Sequence, residues 1–171
     1  MKRLIILRGP MGSGKTKVGI YLLEALEDSA LLDLDLNANG PIQSIDESLG
    51  KKNVIGELFY GNSHTTDPQW IKAFQERDYK ILSAILNTKL ETCINRVLVK
   101  RKDNRTSEEV KQYYDFFHNN LKSIFKIRTG IEEISIDTDE KEPNLLKLLH
   151  YYTWNLRYMS FAGVHILLCV V

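Results

Sequence analysis

The sequence predicts an α/β fold: a five-stranded parallel sheet with helices on both faces. Three observations carry this expectation. Five short apolar runs alternate with longer stretches whose apolar residues recur at helical spacing, the order that builds a parallel sheet through helical crossovers. The first run leads straight into a glycine-rich turn that opens a helix. The chain has 171 residues, 43% of them hydrophobic and 26% charged, which suits one domain with a full core.

Taken in order, Lys2–Leu7 reads as a buried strand. Lys15–Glu27 reads as a helix, with Val18, Tyr21, Leu22, Ala25 and Leu26 at helical spacing. Ala30–Leu36 reads as a second strand ending in carboxylates, and Asn37–Lys52, rich in Asn, Gly, Ser and Pro, as irregular or weakly helical. Asn53–Phe59 is a third strand, weakened by Gly56. After a loop at Gly61–Asp67, Asp67-Pro68 starts a helix that runs to about Arg77, since proline suits the first turn. Tyr79–Leu86 is the fourth strand. Thr88-x-x-Glu91 and Thr106-x-x-Glu109 are capping boxes, opening helices to about Lys102 and Lys126 on either side of the polar break Lys102–Arg105. Ile131–Asp137 is the fifth strand, and Pro143 opens a last helix to about Asn155. This reading gives one domain, 1–155, followed by an apolar tail, 156–171.

Lys plus Arg number 23 and Asp plus Glu 22. A formal net charge of +1 gives no bulk argument for nucleic-acid or membrane binding. Cys93 and Cys169 lie far apart with no CxxC spacing, so neither a disulfide framework nor a zinc site is expected, and a reducing, cytoplasmic setting is the simpler reading. The apolar run after Met1 is too short for a signal peptide. Gly163–Val171 (GVHILLCVV) is far short of a bilayer span. It reads first as a buried or edge strand, second as a dimer contact, third as the product of a shifted reading frame.

The residues Gly9-Pro10-Met11-Gly12-Ser13-Gly14-Lys15-Thr16 fit G-x-x-x-x-G-K-[ST], the Walker A phosphate loop, at every required position. The chain must wrap a phosphate and turn its N–H groups inward. Gly9, Gly12 and Gly14 permit the backbone this needs. Lys15 would reach the β and γ phosphates, Thr16 would ligate Mg²⁺, and the helix starting here aims its positive end at the phosphates. The alternative, a plain glycine-rich turn, is opposed by the context: an apolar strand before the loop and an amphipathic helix after it. A nucleoside triphosphate, ATP with Mg²⁺, is the expected ligand.

At these residues the chain resembles the P-loop kinases of small acceptors, a group that includes nucleoside monophosphate kinases, shikimate and gluconate kinases, chloramphenicol phosphotransferase-like proteins and polynucleotide 5′-kinases. The resemblance covers about Lys2 to Asn155 in the order of elements and is specific at the phosphate loop. It implies the three-layer P-loop fold with strand order 2-3-1-4-5 and a mobile lid, here near 100–107. Asp33 and Asp35 match the family position at the end of strand two. Asp35 is the expected base or acceptor ligand and Asp33 a metal-side carboxylate; loop-capping residues are the alternative. Glu57, ending the third strand, corresponds loosely to the second metal-side carboxylate, against a surface glutamate. Arg96, Arg101 and Arg105 resemble lid arginines, with Arg101 and Arg105 expected to steady the transferring phosphoryl group; the alternative is a solvated basic helix end. The Asp-Arg-Tyr of thymidylate kinases and the Gly-Gly of shikimate kinases are absent, and the stretch between strands two and three is short, so the acceptor stays open.

Two functions follow as expectations. The first is a kinase moving the γ-phosphoryl of ATP to a hydroxyl or phosphate on a small molecule or a nucleic-acid end. The second is an NTPase or nucleotide switch in which Glu57 positions water. His118, His150 and the aromatics Tyr113, Tyr114, Phe116, Phe117 and Phe125 read as surface or core residues rather than ligands.

Overall fold

The computed structural model describes residues 1–34, 43–58, 69–101, 106, 108–112, 115, 131–139, 160–161 and 164–165, with backbone alone at 43–44, 69–70, 100–101, 132, 160–161 and 164–165. Leu4, Ile5, Ile6 and Leu7 are all fully buried. A strand apolar on both faces must lie inside a sheet covered on both sides, and β1 (Lys2–Arg8) does. It pairs in parallel with β3 (Asn53–Leu58) on one side and β4 (Tyr79–Asn87) on the other. Outside these lie β2 (Ser29–Asp33) and β5 (Glu132–Asp137), giving the order β2-β3-β1-β4-β5, the expected topology.

Strand alternation divides the core. Leu4, Ile6, Leu32, Val54 and Ile81 face one side, where Ile45 of α2 (Gln43–Ser48) and Ile71 and Phe74 of α3 (Gln69–Gln75) cover them. Ile5, Leu7, Ile55, Leu82, Ala84 and Ile136 face the other side and pack on Val18 and Leu22 of α1 (Lys15–Ala25). A third cluster joins Cys93, Ile94 and Val97 of α4 (Leu90–Arg101) to Val110 in the helical stretch 108–112, with Met11 of the loop packed against it. The phosphate loop is thereby seated on α4 through an apolar contact.

Two local expectations, the end of β2 and the Thr88 cap, need correction. β2 stops at Asp33 rather than Leu36. The fully buried Leu34 turns into the core, where its Cδ1 fills the space a side chain on Gly56 would take. The stretch read as irregular or weakly helical does contain a short helix, α2, because Ile45 and Leu49 have an apolar face to bury. Thr88 does not cap with Glu91. The Thr88 side chain is buried, its hydroxyl reaches the Ser13 carbonyl, and Asp139 receives the Lys89 N–H at the start of α4 instead. The second capping box forms as expected: Thr106 N–H donates to Glu109 Oε2 at 2.8 Å and Glu109 N–H donates to Thr106 Oγ1 at 3.2 Å.

Of the tail, Val164–His165 pairs antiparallel with Ser160–Phe161 as a two-residue hairpin apart from the main sheet. The rest of the tail, the helix expected from Pro143, and the stretch 116–130 lie outside the described residues. Among the described residues no helix is long and apolar enough to cross a membrane.

Candidate functional site

The loop between β1 and α1 sits at the carboxyl ends of the strands, where open α/β sheets place their ligands. Gly12 and Gly14 have φ of 79° and 95°, the left-handed region that other residues enter at a cost. Gly12 is required for a second reason: a Cβ there would lie 2.5 Å from the Cys93 carbonyl oxygen. The loop backbone rests directly on that of α4.

The loop's carbonyls are held by donors. Lys15 Nζ donates to Gly9 O at 2.7 Å and Pro10 O at 3.1 Å. Arg96 Nη1 donates to Gly12 O at 3.3 Å. Thr138 Oγ1, just past β5, donates to Ser13 O at 2.9 Å, and Thr88 Oγ1, just past β4, lies 3.2 Å from the same carbonyl. The Thr88 and Thr138 hydroxyls also bond each other. Val18 N–H donates to Gly14 O at 3.0 Å, and the N–H groups of the first turn point out of the start of α1. Carbonyls engaged around the loop, together with backbone N–H groups directed out of a helix start, make a concavity suited to an anion.

Beside this concavity the strands add carboxylates. Glu57 stands opposite Leu7 of β1 and Asp33 of β2 in register, so the two acids occupy adjacent strands on the α1 face of the sheet. Thr16 Oγ1 donates to Glu57 Oε2 at 2.9 Å. Hard oxygen donors of this kind suit a magnesium ion, which takes one or two carboxylates together with phosphate oxygens. Among the described residues, no cluster of three or more His, Cys, Asp or Glu could hold a metal ion by itself.

The structure thus brings together Gly9, Met11, Gly12, Ser13, Gly14, Lys15, Thr16, Asp33 and Glu57. Asp35 and Arg105 lie outside the described residues, and Arg101 is described as the last residue of α4 by its backbone alone. Arg96, grouped with the lid arginines by its resemblance, is a latch. Besides Gly12 O it holds Thr138 O at 2.7 Å and Asp139 O at 3.4 Å, tying the loop to the segment after β5. Burial pushes the Asp139 carboxyl upward, but bonds from the Lys89 N–H and the Thr92 side chain hold it below the ordinary range.

Sequence reasoning missed the two threonines and Arg8. Thr138 directly follows the fifth strand, and position was its one signal. Arg8 is 1% exposed and donates to Glu133 Oε2 at 3.0 Å and, at 3.5 Å, to Ser83 Oγ. A charged residue between an apolar run and the loop was its visible mark.

Comparison with solved structures agrees with this topology. The shikimate kinase of Bacteroides thetaiotaomicron is 15% identical over 88% of this chain and 98% of its own, with a TM-score of 0.58. The deoxyadenosine kinase of M. mycoides, with products dCMP and dCDP bound, is 12% identical over 88% and 98%, at 0.57. The gluconokinase of Sinorhizobium meliloti is 12% identical over 87% of each chain, at 0.51. The fold is that of the small P-loop kinases. No family model and no curated protein matches the sequence. The three neighbours carry three different acceptor names, so the shared fold does not select an acceptor.

Proposed function

We propose that the chain is a phosphotransferase that moves the γ-phosphoryl group of Mg-ATP to a hydroxyl or phosphate on a small molecule or a nucleic-acid end, in a cytoplasmic setting. One observation carries the reading: where the glycine-rich loop runs into α1, the Thr16 hydroxyl lies 2.9 Å from the Glu57 carboxylate. The small-kinase fold around it supports a kinase over other users of the loop.

In this reading the amides of Lys15 and Thr16 hold the β-phosphate, and the Lys15 ammonium swings from the Gly9 and Pro10 carbonyls to phosphate oxygens. Thr16, with Asp33 and Glu57, would hold Mg²⁺, which would supply neutralisation of the charge on the phosphate oxygens. Asp35, two residues beyond the end of β2, accepts the acceptor's proton. The acceptor oxygen bonds to the γ-phosphorus as the bond to the β–γ bridging oxygen breaks, ADP carries away that oxygen with its electron pair, and the proton passes to the carboxylate and then to water. Arg101 and Arg105, at the end of α4 and just beyond, stabilise the three equatorial oxygens in the transition state. The protein supplies position and charge.

The test is ADP release from Mg-ATP, first alone and then with pools of nucleosides and nucleotides, sugars and hydroxy acids, and 5′-hydroxyl oligonucleotides. Release that depends on one pool supports the kinase and names the acceptor class. Release that no pool changes would replace it with an NTPase in which Glu57 orients water.

A further inference from the structure

Gly19 lies in the second turn of α1 and is buried, a place where glycine is among the least favoured residues because it loses the most backbone freedom. Its φ is not left-handed, so no backbone conformation demands it. Space does. A Cβ at position 19 would lie 2.8 Å from Leu31 Cδ1 and 3.1 Å from Glu57 Oε1. The leucine methyl ends a flexible side chain and can shift. The Glu57 carboxylate cannot move without consequence, because its other oxygen accepts the Thr16 hydroxyl. Thr16 and Gly19 are three residues apart on one helix and therefore share a face.

We propose that Gly19 is a positioning residue for the Thr16–Glu57 pair: the notch it leaves in α1 lets the Glu57 carboxylate lie against the helix and reach the hydroxyl one turn earlier. This inference rests on reading Thr16 and Glu57 as holding the metal of the bound nucleotide. Outer groups that orient ligands in this way influence metal affinity without touching the ion. A side chain at position 19 raises the helix propensity of α1 and removes the notch, so intrinsic helix stability and metal affinity should move in opposite directions.

The experiment titrates Mn²⁺, as a spectroscopic substitute for Mg²⁺, into the full chain holding a non-hydrolysable ATP analogue. Four proteins are compared: wild type, Gly19→Ala, Glu57→Gln and the double variant. Affinity for the analogue in EDTA and the thermal midpoint are measured alongside. Gly19→Ala should weaken Mn²⁺ by about tenfold and leave metal-free analogue affinity unchanged. In the Glu57→Gln background the same substitution should have no further effect, since it acts through that carboxylate. Gly19→Ala with Leu31→Val, which relieves the leucine contact, should keep a wild-type thermal midpoint and still show the metal deficit. Recovery of metal affinity in this last variant, an undiminished Gly19→Ala effect without the Glu57 charge, or loss of metal-free binding would each overturn the proposal. A wild type that binds the analogue with no metal dependence would overturn the functional reading as well. A normal wild-type response beside an unaltered Gly19→Ala overturns the Gly19 inference alone.

Discussion

The hydroxyl of Thr16 and the carboxylate of Glu57, 41 positions apart in the chain, meet at 2.9 Å across the gap between α1 and β3. The parallel register that sets Glu57 beside Leu7 carries the acid to the level of the loop, and α1 turns the threonine toward it. A metal held there would be served by both oxygens. Glu57→Gln should therefore raise the Mg²⁺ concentration needed for half-maximal turnover by about tenfold or more, with a smaller effect on nucleotide binding in EDTA. A titration of initial rate against free Mg²⁺ at fixed ATP checks this.

Gly12 carries two constraints at once, a φ of 79° and a carbonyl 2.5 Å from where its Cβ would be. Gly12→Ala should destabilise the fold by about 1–3 kcal/mol, the ordinary cost of a strained backbone position, and abolish nucleotide binding by pushing the loop off α4. Urea unfolding gives the first quantity and calorimetric titration with ATP the second.

Arg8 is a buried cation whose partner, Glu133, keeps 40% of its side chain exposed. Removing one member of such a pair leaves charge in the core, and removing both does not. Glu133→Ala should cost about 1–3 kcal/mol, a figure reduced for the exposure of the glutamate. Arg8→Met combined with Glu133→Gln should recover at least half of that loss. Urea midpoints for the wild type and the variants decide it.

Burial pushes the Cys93 thiol up from 9.0 to about 11. The unfolded thiol ionises first, so this group's contribution is intact below pH 9 and is lost as pH rises from 9 toward 11. In a Cys169→Ser background, alkylation at pH 8 should be slow and should follow global unfolding across a urea series. Reaction as fast as that of a free thiol would contradict the packing of Gly12 against Cys93.

Much of this was legible in the sequence, for physical reasons. β1, β3 and β4 follow from apolar runs that the sheet must bury, β5 from the alternation of Ile134 and Ile136 with polar residues, and the Thr106–Glu109 cap from local spacing. The glycine turn between β1 and α1 is read because Gly12 and Gly14 answer a backbone requirement. What the sequence concealed depends on distant contacts. Thr88 looks like a cap from its neighbours, yet it serves Ser13, 75 positions away. Arg96 reads as one arginine in a basic helix until β5 places the Thr138 carbonyl beside it. β2 ends early because Leu34 finds a vacancy at Gly56, a fit that no periodicity displays.

The most direct test concerns Lys15, whose ammonium rests on the carbonyls of Gly9 and Pro10. ATP affinity and acceptor-dependent turnover should be measured for Lys15→Ala beside the wild type. The account expects a fall of about 100-fold or more in turnover, the scale of losing one charge-stabilising donor, with weakened ATP binding and an unchanged thermal midpoint. Wild-type affinity and turnover in the variant would contradict it.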